Sequence, residues 1–186
     1  MSDQLLALSF LQPWLWSILE RHKGFTVDDV FYAVENRSRP PPKKMVGQRF
    51  ALHASAGWDE DGEEFIDERL ILDLPPTGIG YVEAPPKTKC VRGAIVGTAQ
   101  LAGAVRLVVK AGTRERLLQV PPIGAVTGAM FDATCASPWA FGEWVLLLTD
   151  IRKLYEPVPA KGMLGFWRVP NDVAELVRAR EVSRAA

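Results

Sequence analysis

The chain has 186 residues, of which 48% are hydrophobic, and this is enough for one domain with a sizeable core. Its 22 basic and 22 acidic residues give a formal net charge of zero, which excludes strong non-specific attraction of nucleic acid by the protein as a whole. No stretch approaches 18 apolar residues and no leader pattern opens the chain, so we predict a cytoplasmic protein without a membrane partner.

The two cysteines give no sign of a metal site. Cys90 and Cys135 stand far apart in the sequence and lack the spacing of metal ligands. Reduced structural or surface thiols are the favoured interpretation. The sequence therefore predicts no bound metal and no cofactor.

The first predicted elements are a short strand and a helix. Residues 6–8 are apolar and predict a strand that ends at Ser9. Pro13 suits the first turn of a helix, where its missing N–H costs nothing. An apolar stripe at helical spacing follows, formed by Trp14, Leu15, Ile18 and Leu19.

A second strand is predicted at residues 34–37, after residues 22–33, which predict a further helical turn or a loop. Alternation along this strand would place Glu35 and Arg37 on one face, where they can form an ion pair and still offer hydrogen bonds to a ligand. Residues 39–44 contain three prolines and predict a loop with a basic edge.

The middle of the chain predicts one more strand, a helix and a hairpin. Residues 49–54 predict a buried strand that ends near His53. Residues 59–74 predict an amphipathic helix with its acidic residues in water, and residues 75–92 are irregular. Strands are predicted at 93–101 and 104–110, the second turning into a hairpin partner at 116–120.

The last third predicts a loop, a strand and a terminal helix. Residues 121–136 predict a loop, and residues 143–149 predict an apolar strand that leaves through a turn at 150–154. Asn171 is the predicted N-cap of the final helix, residues 171–182.

Several blocks of this sequence resemble the ASCH domain, a small member of the PUA-like fold, and stand in the order that such domains use. The blocks are Ala7-Leu8-Ser9, Pro13-Trp14, Glu35-Asn36-Arg37, residues 47–54, 93–101, 137–139 and 161–167. The resemblance covers nearly the whole chain. It implies an α+β fold, a PUA-like β-barrel flanked by helices, as a single domain over residues 1–186. Residues 22–33 and 75–92 would then be insertions.

The resemblance also implies an RNA- or nucleotide-binding module that recognises a base in a cleft between the first helix and the β-barrel. The partner would be RNA, single-stranded nucleic acid or a modified nucleoside. The candidate ligand-binding residues are Ser9, Gln12, Trp14, Glu35, Asn36, Arg37, His53, Ser137, Trp139 and Lys161. A basic rim is formed by Arg39, Lys43, Lys44 and Arg49.

Each candidate also has a purely structural interpretation. Glu35 and Arg37 would equally form an internal salt bridge, and His53 is more often a structural histidine than a catalytic base. The polar candidates at strand and helix ends would equally satisfy backbone groups. Of the two tryptophans, Trp139 is favoured as an exposed surface for base stacking, because Trp14 begins the apolar stripe of the first helix.

Two other functions stay open: a small hydrolase on RNA or a modified nucleoside, with Glu35 as acid or base, and a module that binds a protein partner.

ASCH-like amidohydrolases acting on N4-acetylcytidine carry a Gly-x-Lys-Thr-x-Thr pattern before an arginine. Alignment on Arg37 places Tyr32 at the lysine, Ala33 at the first threonine and Glu35 at the second. A tyrosine cannot readily replace an amine at neutral pH, and spacing gives no reason to use Lys23 instead, so binding is favoured over turnover.

Overall fold

The computed structural model describes residues 4–72, 83–109, 116–118 and 121–181. Those residues form nine β-strands and four α-helices, so the protein belongs to the mixed α+β class, as predicted. In chain order the elements are β1 (Leu6–Gln12), α1 (Trp14–Leu19), β2 (Gly24–Val27), β3 (Val30–Arg37), a 3₁₀ turn (Lys43–Met45), β4 (Arg49–Trp58), α2 (Glu60–Leu72), β5 (Ala94–Val109), β6 (Arg116–Leu118), β7 (Ile123–Gly124), α3 (Gly128–Ala136), β8 (Trp144–Pro159), β9 (Phe166–Arg168) and α4 (Asn171–Arg180). None of these helices is long and apolar enough to cross a membrane.

The described residues divide into two compact units. The first lies within Met1–His22, Phe50–Thr98 and Arg152–Ala186, and the second within Lys23–Arg49 and Ala99–Ile151. The long strands β5 and β8 each contribute residues to both units. The prediction of a single domain over residues 1–186 stays a prediction.

In the first unit, β1 is the central strand. It pairs in parallel with β4, where Ala7 lies opposite Ala51, and antiparallel with β9, where Ala7 lies opposite Trp167. Helix α4 contributes Ala174 and Val177 to a buried apolar cluster that includes these strand residues. The alternating apolar positions of β1 thus form part of a core, as a half-buried strand requires.

In the second unit, a hairpin of β2 and β3 pairs with β8. Ala33 lies opposite Gly24 on one side and opposite Leu148 on the other. Strand β8 in turn neighbours β5, to which β6 and β7 are attached. The first half of β3 thus lies between β2 and β8, and Glu35 and Arg37 lie in the second half, which pairs with β8.

A closed β-barrel is not found. The strand order ends at β9 in the first unit and at β2 in the second, and no described strand pairs with the outer side of either. Strand β2 has four residues and β9 has three, so each edge offers few backbone groups to a further strand. The prediction of a barrel is therefore wrong for this part of the chain.

The segment predicted as a helical turn or loop at residues 22–33 is a β-hairpin. Asp28 and Asp29 occupy its turn with φ angles of 49° and 61°, the left-handed values that a tight two-residue hairpin turn requires. Aspartate tolerates this region, but Asp-Asp is a weaker turn signal than Asn-Gly or Asp-Gly.

Two predicted strand breaks do not occur. Residues 93–110 were expected to form two strands, yet β5 is continuous through Gly103. Strand β8 runs on to Pro159 instead of ending near residue 149, with Asp150 accommodated inside it at a φ of 45°. Tertiary context overrides the local turn signal in each case.

One helix was missed and one N-cap was placed a residue too late. Residues 121–136 include α3, whose N-cap Thr127 accepts a hydrogen bond from the Met130 N–H at 3.2 Å. Its mostly small residues show no apolar stripe, which explains the loop prediction. Helix α4 begins at Asn171 with Pro170 as its N-cap, so the predicted capping role of Asn171 is wrong.

Other expectations are confirmed. Helix α2 lies where the acidic amphipathic segment predicted it, with Ile66 and Leu70 buried. Strand β6 pairs antiparallel with the end of β5, as the hairpin prediction requires. Residues 83–92 form no helix or strand, and the preceding residues 75–82 of the predicted irregular segment lie outside the described residues, as do positions 73–74 of the predicted helix.

The β2–β3 hairpin makes a specific demand on Gly24. A Cβ atom there would lie 2.4 Å from the Tyr32 carbonyl oxygen and 2.5 Å from the Phe31 ring, whereas a Cβ at Gly128 would meet nothing within 4 Å. We expect Gly24→Ala to lower the free energy of unfolding by about 1–3 kcal/mol, as overpacking does. Gly128→Ala, the matched control, should be neutral or stabilising by less than about 1 kcal/mol. Urea denaturation measures both, and equal losses in the two variants would contradict the close packing at Gly24.

Candidate functional site

The predicted site residues fall into two sets, one in each unit. The first unit holds Ser9, Gln12, Trp14, His53 and Lys161. The second unit holds the remainder: Glu35, Asn36, Arg37, Ser137, Trp139 and the basic rim. The cleft predicted between the first helix and the barrel stays a prediction.

A buried group of three charges lies at the centre of the second unit. The two carboxylate oxygens of Glu35 contact different cations: Oε2 lies 3.2 Å from Lys23 Nζ, and Oε1 lies 2.9 Å from Arg37 Nη2. The side chains are 2% exposed for Lys23, 10% for Glu35 and 28% for Arg37. The group, called the Glu35 triad below, carries one positive charge in excess, and its accessible end is the Arg37 guanidinium.

The predicted pairing of Glu35 with Arg37 is confirmed, and Lys23, for which spacing gave no reason, is the third member of the group. The hairpin turn brings Lys23 back beside β3, where its carbonyl accepts the Val34 N–H at 3.1 Å. The alignment on Arg37 placed Tyr32 where the ASCH-like amidohydrolases have their lysine. That alignment followed sequence spacing alone, and the hairpin brings Lys23 to β3 across that spacing. A stronger reading of Asp28-Asp29 as a turn would have found Lys23.

Asn36 and Trp139 hold a loop together instead of facing a ligand. The Asn36 amide donates to the Trp139 carbonyl at 2.8 Å, and its oxygen accepts from the backbone N–H groups of Phe141 at 3.0 Å and Gly142 at 2.9 Å. Trp139 is only 2% exposed, so the prediction that it offers an open stacking surface is wrong. Ser137 is also buried, and its hydroxyl accepts from the Trp139 N–H at 3.3 Å.

Three of the four predicted rim residues form an exposed cationic edge. Arg39, Lys43 and Lys44 are exposed, and none is paired with a carboxylate anywhere in the described ranges. Arg49 is different, because its guanidinium forms an ion pair with the Asp150 carboxylate and donates to the Asp150 carbonyl at 3.1 Å. Arg49 is therefore removed from the basic rim, which consists of the other three residues.

An apolar groove of about 650 Å³ lies beside this rim in the second unit. It is lined by Pro40, Lys43, Val46, Pro121, Pro122, Ile123, Gly124 and Trp144. Trp144 lies opposite Arg37 in the pairing of β8 with β3, which connects the groove to the accessible end of the Glu35 triad. Sequence reasoning missed this groove, since β7 joins it only through pairing with β5.

In the first unit, Ser9 and His53 form a hydrogen-bonded cluster. Ser9 Oγ lies 3.1 Å from His53 Nδ1, accepts from Trp167 Nε1 at 3.1 Å, and lies 3.0 Å from the Met163 carbonyl. His53 Nε2 lies 3.0 Å from the Ala160 carbonyl, so the proton of the neutral ring belongs on Nε2. Burial lowers the pKa of His53, and the bond to Ala160 opposes this shift. A neutral histidine holding β1, β4 and the loop after β8 together accounts for these contacts.

Gln12 and Trp14 are also held by neighbours in the first unit. The Gln12 side chain is buried, donating to the Val91 carbonyl at 3.0 Å and accepting the Trp16 N–H at 2.9 Å. The Trp14 indole donates to Asp59 at 2.8 Å, and its ring packs on Phe65. These contacts favour the structural interpretation of both residues. Lys161 is exposed in the loop after β8.

The described side chains include no group of three or more His, Cys, Asp or Glu residues placed to hold a metal ion. Cys90 and Cys135 are not joined in a disulfide bond. Both statements concern only the part of the chain with described positions.

No protein-family profile matches this chain, and no curated protein matches it in sequence. Among solved structures, the chain is similar to the ASCH protein from Zymomonas mobilis, with 10% sequence identity and a TM-score of 0.42 over 96% of each chain. A similarity at this level carries no argument about family or function.

Proposed function

We propose that this protein is an RNA- or nucleotide-binding module and that it binds single-stranded nucleic acid along the groove of the second unit. The observation that carries the proposal is the combination of an apolar groove, lined by three prolines and by Trp144, which is 8% exposed, with an edge of exposed, unpaired cations. Grooves that bind single strands combine a positive track for phosphates with flat apolar surfaces for bases.

The cations supply the attraction that the chain as a whole lacks. The net charge is zero, so phosphate binding depends on a local excess at Arg39, Lys43 and Lys44. The Glu35 triad adds one further positive charge, because its single carboxylate faces two cations. A short strand crossing this edge would release counterions, which is the main source of affinity in such complexes.

Arg37 is the residue best placed to fix the orientation of a ligand. Glu35 holds one side of its guanidinium, and the side chain keeps 28% of its surface exposed. A planar guanidinium that is held by a carboxylate has a defined orientation, as recognition of a phosphate or base edge requires.

The sequence blocks that resemble the ASCH domain support the same class of partner. We propose a divergent PUA-like module in which the strand order is open. Binding to RNA is consistent with the predicted cytoplasmic location.

We expect single-stranded RNA to bind with modest affinity, and the logarithm of affinity to fall linearly with the logarithm of salt concentration. Lys43→Ala should reduce the magnitude of the salt slope by about 0.7, the value for one phosphate contact to a single strand. Lys89→Ala is the matched control, since Lys89 is an exposed lysine of the first unit. Fluorescence anisotropy measures both slopes. No binding at about 50 mM salt, or a slope insensitive to Lys43, would contradict the proposal.

Arg37→Ala should lose more affinity for RNA than Lys44→Ala. The arginine orients a ligand inside the site, whereas the exposed lysine only adds to the field. Arg37→Ala removes one of the two cations that contact Glu35 and leaves the pair with Lys23, so thermal melts must accompany the titrations to separate a loss of stability from a loss of binding. Arg37→Lys keeps a charge beside Glu35 and separates folding from recognition. Equal losses for two well-folded variants at positions 37 and 44 would count against orientation by Arg37.

A second candidate is a hydrolase acting on a modified nucleoside or RNA, favoured by one contact. Lys23 Nζ lies 3.2 Å from a Glu35 carboxylate oxygen, so an amine and a carboxylate stand side by side. Both side chains are nevertheless buried. The Lys23 ammonium would have to break its ion pair with the Glu35 carboxylate before it could act on a substrate.

We therefore expect no useful release of cytidine from N4-acetylcytidine. Chromatography of the reaction mixture measures the product directly. Turnover by the repurified protein that disappears in Lys23→Ala, with folding intact, would make the protein an enzyme and Lys23 its amine. Lys161→Ala is the control for a lysine outside the Glu35 triad.

A further inference from the structure

A pocket of about 380 Å³ in the first unit has features that the RNA groove does not use. Its walls come from the end of β4, the residue before β5 and the loop after β8, and none of its lining residues is acidic. The volume lies in the range of small-molecule sites. Three features point to what it would hold.

The first feature is a hydroxyl without a hydrogen-bond partner. Ser55 lines the pocket, and its Oγ atom is buried without a partner among the described residues. Buried hydroxyls in native proteins are nearly always hydrogen-bonded. This Oγ atom has less than 1 Å² of exposed surface, so it reaches a group in the pocket only when the Ser55 side chain turns toward the pocket.

The second feature is positive charge at the pocket. Lys161 lines it and is exposed, with no carboxylate partner in the described part of the chain. Arg92 is exposed beside it and donates from Nη1 to the carbonyl of Ala56, another lining residue, at 3.3 Å. Two cations and a hydroxyl donor match an anionic group of charge close to two.

The third feature is an apolar surface that no described residue covers. Met163 is exposed and Leu164 is 100% exposed, and both line the pocket. A leucine fully in water gains nothing from the fold, but it would gain from contact with an apolar ligand.

The loop that carries these residues is held in place. His53 contacts the Ala160 carbonyl and Ser9 contacts the Met163 carbonyl, while a Cβ atom at Gly162 would lie 2.3 Å from His53 Cε1. The pocket is therefore formed before a ligand arrives, which avoids the entropy cost of ordering a loop.

We propose that this pocket binds an organic phosphate monoester with an apolar body. Lys161 binds the phosphate from the pocket lining and Arg92 from the margin beside Ala56, the Ser55 hydroxyl turns to donate to one of its oxygens, and Met163 and Leu164 cover the apolar part. This site is separate from the RNA groove and does not rest on the proposed function.

Phenyl phosphate, inorganic phosphate and phenol serve as probes for titration calorimetry on the full-length protein. We expect phenyl phosphate to bind at one site and both fragments to bind at least tenfold more weakly. Lys161→Ala should weaken phenyl phosphate at least fivefold, and Leu164→Ser should weaken phenyl phosphate without changing inorganic phosphate. The control Lys87→Ala, an exposed lysine of the same unit, should change neither.

Ser55→Ala separates a binding role from a purely structural one. We expect it to weaken phenyl phosphate severalfold without lowering the melting temperature, since the hydroxyl has no partner to lose in the folded chain. Binding unaffected by both Lys161→Ala and Ser55→Ala, or no saturation up to about 10 mM phenyl phosphate, would overturn the proposal. If the Arg37→Lys variant keeps its affinity for phenyl phosphate, binding at this pocket is independent of the RNA groove.

Discussion

The contact of Glu35 with two cations is the interaction on which the second unit depends. A buried lysine without a counterion would be strongly destabilising, and Glu35 is the carboxylate that meets Lys23 in this unit. The same carboxylate holds Arg37, so one side chain links the start of the β2–β3 hairpin to the end of β3. Arg37 lies opposite Trp144, so this ion group also has one member beside a residue that lines the groove.

The parts of this arrangement that follow from local patterns were predictable, and the parts that depend on distant contacts were not. Alternation in a strand placed Glu35 and Arg37 on one face correctly. The position of Lys23 depends on left-handed backbone at Asp28 and Asp29, for which the sequence holds only a weak signal. The prediction of a closed barrel was wrong for a related reason. Whether the two edge strands of a sheet pair with each other leaves no local signal in the sequence.

The tryptophans show the same limit. Pro138-Trp139 and Pro13-Trp14 look alike as sequence, and both stand at the junction of a loop and an element. Trp139 is buried because the Asn36 amide, 103 residues earlier, binds its carbonyl and the loop that follows. Trp144 showed no motif, yet its pairing position beside Arg37 and the proline-lined wall make it the tryptophan of the groove.

Polar residues at strand ends in the first unit have mostly structural tasks. Ser9 and His53 contact each other and the carbonyls of Met163 and Ala160, which fixes the loop after β8, and Gln12 donates to the Val91 carbonyl. This moves the expected nucleic-acid contacts from the candidates around α1 to the exposed cations and groove of the second unit.

The six tryptophans make the location of RNA binding directly measurable, because each indole N–H gives its own NMR signal. Trp144→Phe and Trp14→Phe variants assign the two decisive signals in a ¹⁵N-labelled protein, and an unlabelled single-stranded oligoribonucleotide is then added. Binding along the groove predicts that the Trp144 signal shifts with saturating RNA while the Trp14 signal does not. A saturable shift of Trp14 with Trp144 unchanged would contradict the account.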